Sequence, residues 1–103
     1  MGFKGIRCIE GELDGSEIPM EKGQRVVIGR DAGEANLVFR DSTISRKHLL
    51  VELDNDGNYY VTDYSKVGTE IDGGELLQRE VKTPVHAGAV LKIGKSGTKI
   101  ELV

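Results

Sequence analysis

The residues whose types could do chemistry gather between Ser42 and Lys47. Within six positions Ser42, Thr43, Ser45, Arg46 and Lys47 bring together three hydroxyls and two cations, and His48 follows at once. Hydroxyl donors beside fixed positive charge make charge-assisted hydrogen bonds to an anion, so the chemistry of this stretch is anion capture. Other readings are weaker. A serine near a histidine is the raw material of an activated nucleophile, yet the chain has no G-x-S-x-G elbow and no carboxylate placed to orient His48. With His48 and His86 the only histidines and Cys8 the only cysteine, a structural zinc site lacks its ligands. The run Asp54-Asn55-Asp56-Gly57 starts like a calcium loop but has no glutamate at the required spacing, and reads as a hairpin turn. Neither a cofactor nor a metal is expected, and the chain reads as a binding protein rather than an enzyme.

Such a stretch needs a rigid base. From His48 onward Leu49, Val51 and Leu53 fall at every second position, the period of a half-buried strand. No window of a dozen residues keeps a helical stripe, 14 glycines interrupt the chain and β-branched residues fill its apolar runs, so the fold is expected to be all β. The pattern predicts strands over 3–10, 16–20, 24–28, 36–38, 48–53, 58–63, 70–71, 75–77, 80–82, 89–93 and 98–102. Asp14-Gly15, Asp56-Gly57, Asp72-Gly73 and Ser96-Gly97 mark turns between neighbouring antiparallel strands. Eleven short strands with turns at regular spacing point to a two-sheet antiparallel β-sandwich, one domain over residues 1–103.

Three connections are longer and more polar than a hairpin requires: 29–35, 39–47 and 64–69. If they meet at one end of the sandwich, Arg30, Ser45, Arg46 and Lys66 converge. Taken alone, Arg30 reads as a surface cation paired with Asp31 or Glu34, and Ser45 as a turn residue bonding its own backbone. Arg46 and Lys47 adjoin on an extended approach to a strand and are expected to point to opposite sides, with Arg46 the better contact.

The net charge of −3, from 17 acidic and 14 basic residues, has the wrong sign for holding nucleic acid by phosphate neutralisation, so any anion site is local. A single cysteine excludes an internal disulfide, and Cys8, alternating with Ile6, reads as a buried inert thiol of a reducing compartment. The opening MGFKGIRCIEGEL and all later segments lack an apolar run of signal-peptide or membrane-span length. A soluble, cytoplasmic protein with no membrane partner is the expectation. The last strand running to Val103 suggests a piece of a longer polypeptide, and no feature sets the oligomeric state.

Gly29-Arg30 closing a strand, Ser45-Arg46-Lys47-His48 some fifteen positions on, Asp63-Tyr64-Ser65-Lys66-Val67-Gly68-Thr69, and Gly88-Ala89-Val90-Leu91-Lys92-Ile93-Gly94 follow one another in an order that resembles the forkhead-associated (FHA) domain. The resemblance spans nearly the whole chain. It implies a two-sheet sandwich that reads phosphothreonine peptides with loops at one end, as an adaptor in Ser/Thr kinase signalling. It also implies that Arg30 contacts the peptide and its phosphate, that Ser45 holds phosphate oxygens through hydroxyl and backbone, and that Arg46 adds a basic contact. Gly29, His48, Gly68 and Thr69 match positions that shape the loops. Two departures stand out. Val67 replaces the asparagine that bonds the peptide backbone in the family, which opens the alternative of phosphate-independent protein binding. Lys66 supplies a cation where the family often has a neutral hydroxyl residue.

Overall fold

The computed structural model describes residues 3–103. Among these residues eleven strands and no helix build two sheets that face each other across one apolar core. The first sheet has the order β2 (Glu17–Pro19), β1 (Gly5–Glu10), β11 (Thr98–Leu102), β10 (Val90–Ile93), β7 (Thr69–Ile71) and β8 (Glu75–Leu76). The second has β4 (Leu37–Val38), β3 (Arg25–Gly29), β5 (Leu49–Leu53), β6 (Tyr59–Asp63) and β9 (Thr83–Val85).

The alternation that begins after His48 becomes β5, the central strand of the second sheet. It pairs antiparallel with β3 and β6, Val51 lying opposite Val26 on one side and Val61 on the other. Leu49, Val51 and Leu53 join Ile6, Leu91, Ile93, Ile100 and Leu102 of the first sheet in the core. Each such side chain, fully buried, contributes roughly 1.5–3 kcal/mol, which makes this strand a stiff support for the loop before it. Tyr59 ties the sheets at the far end from that loop: its Oη accepts from the Gly5 N–H at 2.8 Å and donates to the Val103 carbonyl at 2.8 Å. Cys8 is buried as expected, and burial, with the Asp14 charge nearby, pushes its thiol up.

All four turn signals connect hydrogen-bonded antiparallel neighbours. At the β7–β8 turn both Asp72 (φ 50°) and Gly73 (φ 88°) are left-handed, the conformation for which an Asp-Gly pair is favoured. Two expectations are corrected. The pairing is not wholly antiparallel, because β3 and β4 run parallel, with Ile28 opposite Leu37 and Gly29 opposite Val38. The ninth strand is Thr83–Val85 instead of 80–82. Glu80 stands at φ 61° and the Val81 N–H returns to the Gln78 carbonyl, a turn that cannot extend. Pro84, which lacks a ladder donor, is tolerated in the strand that follows because β9 is the sheet edge.

Candidate functional site

The C-terminal ends of β3, β6 and β10 point to one end of the sandwich, and the long loops meet there. Gly29 closes β3 so near the next loop that a Cβ would fall on the Arg46 carbonyl oxygen. Only glycine permits this approach. It lets the Arg30 N–H donate to the carbonyls of Ser45 (3.0 Å) and Arg46 (3.1 Å), while Arg30 Nε donates to the Ile44 carbonyl at 3.0 Å. The guanidinium is thereby fixed against the loop that carries Ser45. Asp31 spends its carboxylate on the Gly33 N–H, and no ion pair to Arg30 exists among the described residues.

The 39–48 loop is held from two sides. Glu12, from the β1–β2 turn, accepts the N–H of Arg40 (2.8 Å) and of Asp41 (3.1 Å). Asp41 Oδ1 accepts from the Thr43 N–H and hydroxyl and from the Ser96 hydroxyl, and Thr43 Oγ1 accepts the Lys95 N–H at 2.8 Å. Partial burial pushes the Asp41 carboxyl up, but the bonds from Thr43 and Ser96 outweigh it and hold the group below its ordinary value.

His48 is fully buried and locks this loop to the one after β6. Its Nδ1 accepts the Ser45 N–H at 3.1 Å, which assigns the ring proton to Nε2, 3.3 Å from the Gly68 carbonyl. Burial lowers the His48 pKa against the opposing pull of Asp63, Gly68 and Asp41, in keeping with a neutral ring. The 64–68 loop is braced further by Ser65 Oγ, which accepts the Gly68 N–H at 2.7 Å. Buried Asp63 accepts from the Ser65 N–H and the Thr69 hydroxyl. Finally the Lys66 N–H donates to Ser45 Oγ at 3.1 Å, so the Ser45 hydroxyl keeps its own proton to donate outward. The backbone N–H of Ser45, by contrast, is committed to His48.

Together these loops enclose an open cleft of about 610 Å³. Arg30, Ser45, Arg46 and Lys66 all line it, as do Thr43, Val67 and, against expectation, Lys47. The approach to β5 bends at Arg46 and Lys47 and is not extended, so strand alternation does not separate the two. Lys47 Nζ rests 4.1 Å above the Tyr64 ring. The fifth cation, Arg79, arrives from the β8–β9 connection and is the residue that sequence reasoning missed. No local pattern marks it; an isolated parallel β-bridge between the backbones of Asp63 and Arg79 brings it in. Among the described residues no carboxylate lines the cleft, and the side chains of Arg46 and Lys66 have neither hydrogen bond nor ion pair.

The FHA domain family model matches residues 26–94, from β3 to the end of β10. This chain belongs to the FHA domain family. An FHA domain-containing protein of Arabidopsis thaliana is 25% identical over 87 residues, which are 84% of this chain and 22% of that protein. The chain thus spans less than a quarter of the length of the curated relative it matches. Among solved FHA domains, that of CT664 from Chlamydia trachomatis has a TM-score of 0.87 and 24% identity, over 99% of this chain and 97% of that one. The MEK1 FHA domain, solved in complex with a phosphothreonine peptide of HOP1, has a TM-score of 0.77 and 26% identity, over 98% of this chain and 95% of that one.

Proposed function

We propose that this FHA domain binds a phosphothreonine-containing segment of another protein at the loop end. It would thereby serve as an adaptor that joins its own polypeptide to substrates of a Ser/Thr kinase in the cytoplasm. The observation that carries this reading is a cleft lined, among the described residues, by five cations and no carboxylate on a protein whose net charge is −3. A phosphothreonine brings close to two negative charges and three acceptor oxygens. Arg30 offers the terminal Nη groups that Ile44 does not use, Ser45 offers its hydroxyl proton, and Arg46 and Lys66 offer unpaired charge. Recognition of a phosphorylated motif by clustered arginine is the mode described for FHA domains as a class, and the MEK1 relative is bound to such a peptide.

The test is titration of a degenerate peptide library in phosphothreonine, phosphoserine and unmodified form, with Arg30→Ala alongside. Phosphothreonine peptides bind best, and Arg30→Ala, which removes a hydrogen bond to charge of roughly 1.5–3 kcal/mol, weakens them at least tenfold. Equal binding of all three forms, or binding indifferent to Arg30→Ala, points instead to a phosphate-independent interaction module.

A further inference from the structure

Five cations exceed what one phosphate needs, and they do not all sit beside Ser45. Arg46 follows it in the chain and the Arg30 N–H donates to its carbonyl, while Arg79 comes from a different element and reaches the cleft at the Ser65 carbonyl. Its placement is built, because the backbone is fixed at two points: Arg79 bridges Asp63, and the next N–H, that of Glu80, donates to the Asp63 carbonyl at 2.7 Å. The turn at Glu80, with φ 61°, sets the direction of the chain there. The side chain is fixed as well, Nε donating to the Ser65 carbonyl at 3.1 Å. Ser65 precedes Lys66, whose N–H holds Ser45 Oγ, so the Arg79 guanidinium stands one residue along the same loop from the anchor of Ser45.

The amine fork of Arg79 remains available. Its nearest carboxylate, Glu80, lies 3.7 Å from Nη1 with both side chains 61% exposed, a rim pair that water and salt weaken. Val67, which lines the same cleft, adds only apolar surface and offers no side-chain hydrogen bond to a ligand crossing it. A fork with fixed orientation, in a cleft without carboxylates, is matched by a planar or tetrahedral oxyanion bound by two parallel N–H donors.

We propose that Arg79, with Lys66, forms a second anion subsite that selects peptides bearing an acidic group close to the phosphothreonine, either a carboxylate or a second phosphate. This rests on the phosphopeptide reading above and adds a specificity determinant to it.

The experiment uses a phosphothreonine peptide in which each flanking position is in turn neutral, Asp or Glu, or a second phosphothreonine, titrated into the wild-type protein, Arg79→Gln and Arg30→Ala. At one flanking position the acidic forms bind the wild type at least tenfold more tightly than the neutral form. Arg79→Gln brings the acidic-to-neutral affinity ratio close to one, the acidic forms losing far more affinity than the neutral-flank peptide, and its amide spectrum confirms the fold. The two acidic sources separate by pH: between pH 5.5 and 7.5 the carboxylate preference stays level, whereas that of the second phosphate grows as its second ionisation near pH 6 completes. Acidic and neutral flanks binding alike, or a preference that survives Arg79→Gln, overturns the subsite and leaves phosphothreonine recognition standing. Failure of every phosphothreonine peptide to bind overturns both.

Discussion

His48 carries two hydrogen bonds of unequal vulnerability: protonation of Nδ1 abolishes the one it accepts from Ser45 and leaves the one toward Gly68. Burial holds its pKa below the ordinary 6.5. Between that lowered value and 6.5 the unfolded chain takes the proton and the folded chain does not, so stability is fully present above pH 6.5 and falls as the pH falls. Thermal melts of the free protein should lose Tm from pH 7.5 to 5, and His48→Gln should flatten the slope. The exposed His86 works in the opposite sense. Its bond to Asp72 raises its pKa, so its contribution is present below 6.5 and fades as pH rises through the raised value. Melting in an Asp72→Asn background isolates His48, and an undiminished slope in His48→Gln there counts against the assignment. Val67 is the second residue of interest, 38% exposed in the cleft with no polar atom on its side chain. Val67→Asn restores up to two neutral hydrogen bonds to a bound backbone, about 0.5–1.5 kcal/mol each, and should tighten a phosphothreonine peptide by about tenfold in calorimetry.

At the scale of elements, the site depends on loops that grip one another more than on any one of them. Gly29 admits the Arg46 carbonyl, His48 joins Ser45 to Gly68, and Lys66 returns a bond to Ser45. The Glu12 carboxylate, from the β1–β2 turn, fastens the start of the same loop. Gly29→Ala should therefore act twice. The added methyl forces β3 and the 39–48 loop apart, a steric cost of about 1–3 kcal/mol visible in urea unfolding. It also displaces Arg30, so peptide affinity should fall even at temperatures where the variant is fully folded. A variant that unfolds earlier yet binds with unchanged affinity would show that the close approach serves stability alone.

Over the whole molecule, charge is divided: the protein is net negative, yet one end concentrates Arg30, Arg46, Lys47, Lys66 and Arg79. A local field of this kind draws an anionic peptide to the loop end even though the protein as a whole repels it, and salt screens the field over about 10 Å at 0.1 M. Stopped-flow association with a phosphothreonine peptide should slow markedly between 20 mM and 300 mM salt, with dissociation changing less. Association independent of ionic strength would mean that the clustered charge does not steer.

Alternation of apolar residues is a local property of the chain, and β5, β10 and β11 follow from it wherever they end up, as do the Asp-Gly hairpins whose backbone demands left-handed residues. The resemblance carried Arg30, Ser45, Arg46 and Lys66 because each sits in a short motif with its own spacing. What a local pattern does not contain is pairing between distant segments. The parallel β3–β4 pair, the shift of the ninth strand around Glu80, whose N–H meets the Asp63 carbonyl, and the placing of Lys47 over the Tyr64 ring are set by contacts between separate segments. Arg79 shows this most clearly. In the sequence it is one cation in a polar connection; only the backbone β-bridge to Asp63 and the Ser65 carbonyl, both more than a dozen residues away, make it the fifth cation of the cleft.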